Sequence, residues 1–287
     1  MTRHSIKSIR RTFDELEHSA SVDPHSFILK IGCHPDLNPS RYIEISTVYY
    51  RAGYSPNDYR TAMHYNTRFL LERSRAIKCP TIPLQLAGGK KVQEVLMQPG
   101  VLEHFLTDEG ECDEEVLSQE DIAELRESFM EMWGLEVGED NVTADIEAIG
   151  SGKENFGVQK AREAAMTLVL KPQREGGGNN IYKEAISPFL DSLPPKERQA
   201  WVAMRLIQPP DCGNYLVRAG PTNLEVHQPV KAATVSELGI FGWALFGRNN
   251  KLVEREVGFL MRTKSKESNE GGVATGFSVL DSLLLVD

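Results

Sequence analysis

Residues Leu170 to Tyr182 read LKPQREGGGNNIY. The preceding apolar run, MTLVLKP from Met166 to Pro172, leads straight into it. That run has strand length and β-branched content, so it predicts a buried strand. The three consecutive glycines that follow carry no Cβ, so the backbone there turns tightly and lets a ligand approach. Successive backbone N–H groups in such a turn form a nest for an anion. Lys171 and Arg174 put cations before the nest, and Asn179 and Asn180 add donors after it. Glu175 is the odd member, because a carboxylate beside a phosphate is unfavourable without a cation between them. Mg²⁺ supplies such a cation, since it binds one or two carboxylates plus substrate phosphates. Composition alone leaves two readings of the loop open: contact with a Mg-nucleotide, or a surface loop with incidental charges.

The loop is not a Walker A motif, which needs a spaced glycine followed by Lys and then Ser or Thr. The other candidate, AGGKKV from Ala87 to Val92, has Leu84 where the first glycine belongs and Lys91 after Lys90. From the residues alone, Lys90 and Lys91 read as the solvated start of a helix.

A second cluster of glycine and charge lies near the C-terminus, LMRTKSKESNEGGVATG from Leu260 to Gly276. Arg262 and Lys264 alternate along a predicted strand, so both point to one face. Glu270-Gly271-Gly272 echoes Glu175-Gly176-Gly177. Such a pair of segments reads either as two walls of a site for an anionic ligand or as a loop plus a surface hairpin. Glu237, in TVSELGIFG, is a lone acid in an apolar strand. A lone acid is rarely fully buried without a partner, so Glu237 either reaches water or meets a metal, a ribose or a lysine.

Other features narrow the function class. The chain has 287 residues, enough for one large domain or two. Hydrophobic residues are 40% and charged residues 25%, which excludes a fibrous or wholly disordered chain. The net charge of -9 argues against a general nucleic-acid binder. The four cysteines are widely spaced, which fits reduced thiols better than a disulfide frame or zinc site. No apolar run approaches the ~18 residues of a membrane span, and the N-terminus is expected to carry no secretory signal and at most a weak resemblance to a transit peptide. The histidines show no ligand spacing, and no GxSxG or Cys–His signature supports a covalent nucleophile.

Along the chain, RYIEISTVYYRAGY predicts a strand over Tyr42–Tyr50. NTRFLLERSRAIKC predicts a helix running to Pro80, and KKVQEVLMQPGVLEHFL a helix interrupted at Pro99-Gly100. The acidic stretch Thr107 to Glu127 reads as a solvated face, with Ser118 and Asp121 as a helix cap. Residues 138–166 are polar and Gly-interrupted, so a linker or insertion is expected there. Strands are expected in WVAMRLIQPP and TVSELGIFGWALF.

LKPQREGGGNN together with RTK…EGGVATG closely resembles the eukaryotic glutathione synthetase family of ATP-grasp ligases. RRTFDEL, YYRAGY, LLERSRAIKCP, LAGGKKVQ, SELGIFG and VLDS resemble further family segments in family order, so the resemblance covers nearly the whole chain. It implies ATP-dependent joining of γ-glutamylcysteine to glycine through an acyl phosphate, with Mg²⁺ as cofactor. Arg262 and Lys171 are the implied catalytic residues. Lys90 and Lys171 would meet the ATP phosphates from two sides, with Lys264 and Glu270 also at the nucleotide. Gly176, Gly177, Gly178, Asn179 and Asn180 would close over the nucleotide, with Tyr182 nearby. Met204, Arg205, Leu206 and Ile207 would line the adenine pocket, Glu237 would reach the ribose or adenine side, and Glu175 would bind Mg²⁺. Arg51, Tyr54, Arg262, Val273 and Ala274 would hold the peptide substrate.

The implied fold class is α/β. A Rossmann-like substrate-binding domain (1–92) is expected to lead into an incomplete ATP-grasp region (93–287) with an antiparallel sheet. The resemblance further implies a cytoplasmic enzyme with small-molecule substrates, no nucleic-acid or membrane partner, and a homodimer whose subunit contacts stay open. Three departures from the family stand out. Arg205 stands where the family carries an acid. Residues 141–166 are longer than the matching stretch. GRNNKLVEREVG lacks an expected Asn shortly before Val257-Gly258. Family members also begin well upstream of the segment matched by Met1. That leaves two expectations, a working ligase or a non-catalytic binding module needing the missing part.

Overall fold

Helix α1 (Phe13–Ser19) starts where Thr12 and Glu15 cap each other reciprocally. The Glu15 amide donates to the Thr12 hydroxyl at 3.2 Å, and the Thr12 amide donates to the Glu15 carboxylate at 2.7 Å. The computed structural model describes residues 6–32, 42–107, 117–136, 155–173, 178–210, 212–217, 229–247, 252–269, 271–273 and 276–283. The chain divides into two compact units, Met1–Gln93 and Glu94–Asp287.

In the first unit, β1 (Ala20–Val22), β2 (Leu29–Gly32) and β3 (Tyr42–Ile45) form an antiparallel sheet. β4 (Thr47–Tyr49) and β5 (Ile77–Cys79) pair in parallel, joined by helix α2 (Ala62–Arg73). Among the described strands of this unit, β4 and β5 are the parallel pair. The single strand expected over Tyr42–Tyr50 is therefore two strands in two sheets. Ser46 breaks it, and its carbonyl accepts from the Ile77 amide at 2.8 Å. The expected helix to Pro80 also ends early. The Ser74 hydroxyl donates to the Leu71 carbonyl at 2.7 Å, and the chain leaves as β5. Leu29, Tyr50, Leu71 and Ala76 form the buried cluster of this unit. Helices α3 (Ile82–Ala87) and α4 (Lys90–Leu96) follow.

In the second unit, α5 (Val101–Thr107) begins after Gly100, whose φ of +82° suits a residue without a Cβ. The expected break at Pro99-Gly100 is thus present between α4 and α5. Helix α6 (Gln119–Glu127) carries the anticipated capping box of Ser118 and Asp121. Arg126 of α6 donates to both Glu103 carboxylate oxygens and to the carbonyls of Met97 and Gln98. The hydrogen bonds from Arg126 hold the Glu103 carboxyl down at about 2.

Two antiparallel sheets dominate this unit. The first has the order β6 (Met132–Gly134), β9 (Trp201–Arg205), β7 (Leu168–Pro172), β8 (Ile181–Tyr182). Side chains alternate across a strand, so one face of this sheet carries Leu168, Leu170, Ala203 and Ile181. Those residues pack into a core with Val158 and Ala161 of the helix Phe156–Glu163, and with Ile186 and Leu190 of the helix Ile186–Ser192. The second sheet has the order β10 (Cys212–Leu216), β11 (Val230–Phe246), β12 (Leu252–Ser265), β13 (Ser278–Asp281). Its long β11–β12 hairpin exposes Ile240, Trp243, Val257 and Phe259. Among the described residues, no helix is long and apolar enough to cross a membrane.

Leu170 is fully buried in the centre of the first sheet. Leu170→Ala is expected to cost about 3 kcal/mol, the usual penalty for lost contacts plus a cavity. Urea unfolding followed by tryptophan fluorescence checks it, with a lower midpoint at unchanged slope expected. A loss under about 1 kcal/mol contradicts this core.

Candidate functional site

The strand period decides which residues share a face. On β7, Lys171 sits opposite Val202 of β9, and Val169 sits opposite both Met204 of β9 and Tyr182 of β8. Lys171, Met204 and Tyr182 therefore leave the sheet on one face, the side away from the Leu168–Leu170 core. Arg205 leaves on the other face. Its guanidinium donates to the Glu131 carboxylate at 2.8 Å and to the Thr167 hydroxyl. The Arg205 side chain is thus spent on protein partners. Glu131 also accepts from Lys160 at 2.7 Å, and the Lys160 ammonium lies 4.0 Å from the Trp133 ring centroid. The hydrogen bonds from Lys160 and Arg205 hold the Glu131 carboxyl below its ordinary range. The Leu206 amide donates to the Thr167 carbonyl at 2.9 Å, and Ile207 is exposed.

The described end of the Gly-rich loop, Gly178 to Tyr182, meets the second cluster at Asn269. Gly178 has a φ of +86° and open space where a Cβ would stand. Asn179 is exposed. The Asn180 amide donates to the Tyr182 hydroxyl at 3.1 Å, and that hydroxyl donates to the Asn269 carbonyl at 3.3 Å. Tyr182 and Asn269 are 87 residues apart in sequence. Next to Asn269, the Lys264 ammonium donates to the Ser268 carbonyl at 2.7 Å.

Strand β12 carries Arg262 and Lys264 on one face, as the alternation predicts. Lys264 faces Val235 of β11 and Ser278 of β13, while Arg262 faces Glu237 and Leu280. The Glu237 carboxylate meets the Arg262 guanidinium with oxygens at 2.7 and 3.0 Å. The lone acid of β11 thus finds a cation, an arginine rather than a lysine. A Cβ at Gly271 would stand 3.9 Å from that guanidinium, so the glycine segment passes alongside Arg262. The Ser278 hydroxyl donates to the Gly271 carbonyl at 3.0 Å, and the Gly276 amide donates to the Val273 carbonyl at 3.0 Å. These bonds pin the second segment onto β13.

In the first unit, the YYRAGY stretch is shaped by a carboxylate that sequence reasoning missed. Asp58 accepts from the backbone amides of Gly53, Tyr54 and Ser55 at 2.9 to 3.2 Å. Gly53 has a φ of +86°, and a Cβ there would stand 2.8 Å from the Tyr59 hydroxyl. The Tyr54 hydroxyl donates to the Tyr50 carbonyl at 2.6 Å. Arg51 is exposed, its guanidinium 6.0 Å from the Tyr49 ring centroid. Arg68 is buried, with its guanidinium 3.5 Å from the Tyr50 ring centroid. Burial pushes the Tyr50 phenol up to about 12. The Lys90 ammonium donates to Gln93 at 3.0 Å at the start of α4.

Glu175, Gly176, Gly177, Glu270 and Ala274 lie outside the described residues. Among the described residues, no group of three or more His, Cys, Asp and Glu is placed to hold a metal. Cys79 and Cys212 are free thiols, and Cys33 and Cys112 lie outside the described residues.

Comparison with known proteins bears on this arrangement. The family model for the eukaryotic glutathione synthase ATP binding domain matches residues 4–285. The chloroplastic glutathione synthetase of Solanum lycopersicum is 36% identical over 287 residues, covering 99% of this chain and 44% of that protein. Homo sapiens glutathione synthetase is 37% identical over 280 residues, covering 97% of this chain and 51% of that protein. The solved apo structure of a glutathione synthetase-like effector from Globodera pallida superposes with a TM-score of 0.58 at 21% identity. It covers 99% of this chain and 51% of its own, and at that identity speaks for the fold. The chain spans about half the length of the curated relatives it matches.

Tyr182→Phe removes the hydroxyl that joins the two glycine segments. The expected cost to global stability is small, about 1 kcal/mol, because the group is solvent-accessible. Hydrogen exchange is expected to speed up at residues 269–273 while β7 and β9 keep their protection. Unchanged exchange at 269–273 contradicts the link.

Proposed function

Because the chain belongs to the eukaryotic glutathione synthase ATP-binding family, we propose that it binds Mg-ATP and serves the ligation of γ-glutamylcysteine to glycine. The observation that carries this reading is the junction of Tyr182 with Asn269, which brings Lys171's strand pair and the Lys264–Gly271 segment together. A carboxylate is a poor electrophile for an amine at neutral pH. In the proposed reaction a carboxylate oxygen of the dipeptide attacks the γ-phosphorus of ATP and ADP leaves. The glycine amine then attacks the acyl carbon, loses a proton, and phosphate leaves. Such phosphoryl transfer needs positioning and charge neutralisation rather than a nucleophilic side chain.

Lys90, Lys171 and Lys264 are the proposed phosphate contacts. Gly176 to Asn180 would cover the nucleotide beside Tyr182, and Glu270 would border it. Met204, Leu206 and Ile207 would line the base, with Glu237 at the ribose. Arg262, Val273 and Ala274 would hold the peptide with Arg51 and Tyr54. Mg²⁺, when bound, would neutralise charge between the phosphates and Glu175. With Glu175 as its one carboxylate, the site is expected to bind Mg²⁺ weakly, the rest of the shell coming from phosphate oxygens and water.

On this reading, residues 1–92 are the substrate-binding domain, and β4–α2–β5 is its Rossmann-like portion. Residues 93–287 are the ATP-grasp region. The proposed site of action is the cytoplasm, although the relatives from Solanum lycopersicum and Arabidopsis thaliana are named chloroplastic. Homodimers, small-molecule partners alone, and no nucleic-acid or membrane partner complete the proposal. A second reading is favoured by the half-length coverage of the relatives. There the chain keeps nucleotide affinity and needs a polypeptide matching the relatives' remainder for turnover.

Calorimetric titration with Mg-ATP, followed by ADP release with γ-glutamylcysteine and glycine, tests both readings. Binding with substrate-dependent release supports the first, and binding without release supports the second. Lys171→Ala is expected to weaken Mg-ATP binding at least about tenfold, the loss of one charge-assisted contact. No binding by the folded wild type contradicts the nucleotide site itself.

A further inference from the structure

Glu237 and Arg262 are cross-strand partners on β11 and β12, and each spends its charge on the other. The Arg262 Nε and Nη2 groups donate to both Glu237 oxygens, a two-pronged geometry. That is the same fork a ligand carboxylate would use. A ligand carboxylate on the remaining Nη1 side would sit beside a like charge and be repelled. Among the described residues Glu237 has no protein partner besides Arg262.

The pair is also easy to open. The Arg262 side chain is 38% exposed and that of Glu237 61% exposed. Exposed ion pairs are weak, and water replaces their contacts readily. The Arg205 pairing differs, since Arg205 shares Glu131 with Lys160 and is tied to Thr167 as well. Gly271 brings the second glycine segment alongside the Arg262 guanidinium without a side chain between them. A ligand seated against that segment therefore meets Arg262 while Glu237 still holds it.

We propose that Glu237 is a latch: it occupies Arg262 until the nucleotide's hydroxyl groups take the Glu237 carboxylate, and only then does Arg262 accept a substrate carboxylate. The latch rests on the nucleotide and peptide reading given above, and makes the two ligands bind cooperatively. Reciprocity requires that the dipeptide tighten nucleotide binding by the same factor. Glu237 is here a positioning residue acting through Arg262.

The test is calorimetry of γ-glutamylcysteine with and without a non-hydrolysable Mg-ATP analogue. In wild type the nucleotide analogue is expected to tighten dipeptide binding by up to about fivefold, the ceiling for releasing an exposed ion pair. Glu237→Gln keeps the shape and removes the charge. It is expected to bind the dipeptide about fivefold tighter than wild type without nucleotide, and to lose the coupling. Glu237→Asp keeps the charge and is expected to retain part of the coupling. A purely structural role would weaken both ligands and leave the wild-type coupling absent. If wild type binds both ligands independently, the latch is overturned and the nucleotide reading stands. If wild type binds no nucleotide, that reading falls and takes the latch with it. The wild-type coupling decides the matter even if the variants do not fold.

Discussion

The register of β11 on β12 is the constraint on which the candidate site depends. Opposite residues share a face, so this register sets Glu237 against Arg262 and Val235 against Lys264. A slip of one residue would turn every side chain of β12 to the other face. Arg262 and Lys264 would then leave the side where Gly271 passes, and Thr263, which is buried, would take their place. The Thr263 side of β12 resists this slip. There the Ser236 and Thr263 hydroxyls lie 2.8 Å apart, and Thr263 donates to the Asp281 carboxylate at 2.6 Å. Hydrogen bonds around the buried Thr263 on one face thus hold the cations in place on the other.

Charge in the second unit is organised by acids that select what each arginine does. Arg126 is consumed by Glu103 and two carbonyls, so it fastens α6 to the turn before α5. Arg205 is consumed by Glu131 and Thr167 on the core side of its sheet. Among the described residues, Arg262 has one acidic partner, the exposed Glu237. The first two arrangements are structural because several partners converge on each guanidinium. The third is exchangeable because one solvated carboxylate holds it, and exposed pairs contribute little to stability.

Much of this was legible in the sequence. MTLVLKP carries apolar, β-branched residues at strand length, and it folds as β7. Ser118 and Asp121 stand at capping-box spacing, and they cap α6. Arg262 and Lys264 stand two apart in a strand and share a face. What escaped the sequence depends on partners far along the chain. Ser46 breaks its strand because Ile77, 31 positions on, claims its carbonyl. Helical spacing carried on through Ala76 and Ile77, yet the ladder with β4 took Ile77 into β5. Nothing local marked Glu131, 74 positions back, as the partner of the Arg205 side chain. Asp58, which gathers three backbone amides behind Gly53, had no signal beyond its turn-forming residue type.

Joining of the two glycine segments into one nucleotide site is the central claim, and hydrogen exchange with and without Mg-ATP tests it most directly. Peptides covering 171–182 and 262–273 are expected to gain protection together at the same nucleotide concentration, with α6 unchanged. Protection of one segment without the other, at saturating nucleotide, would contradict the account.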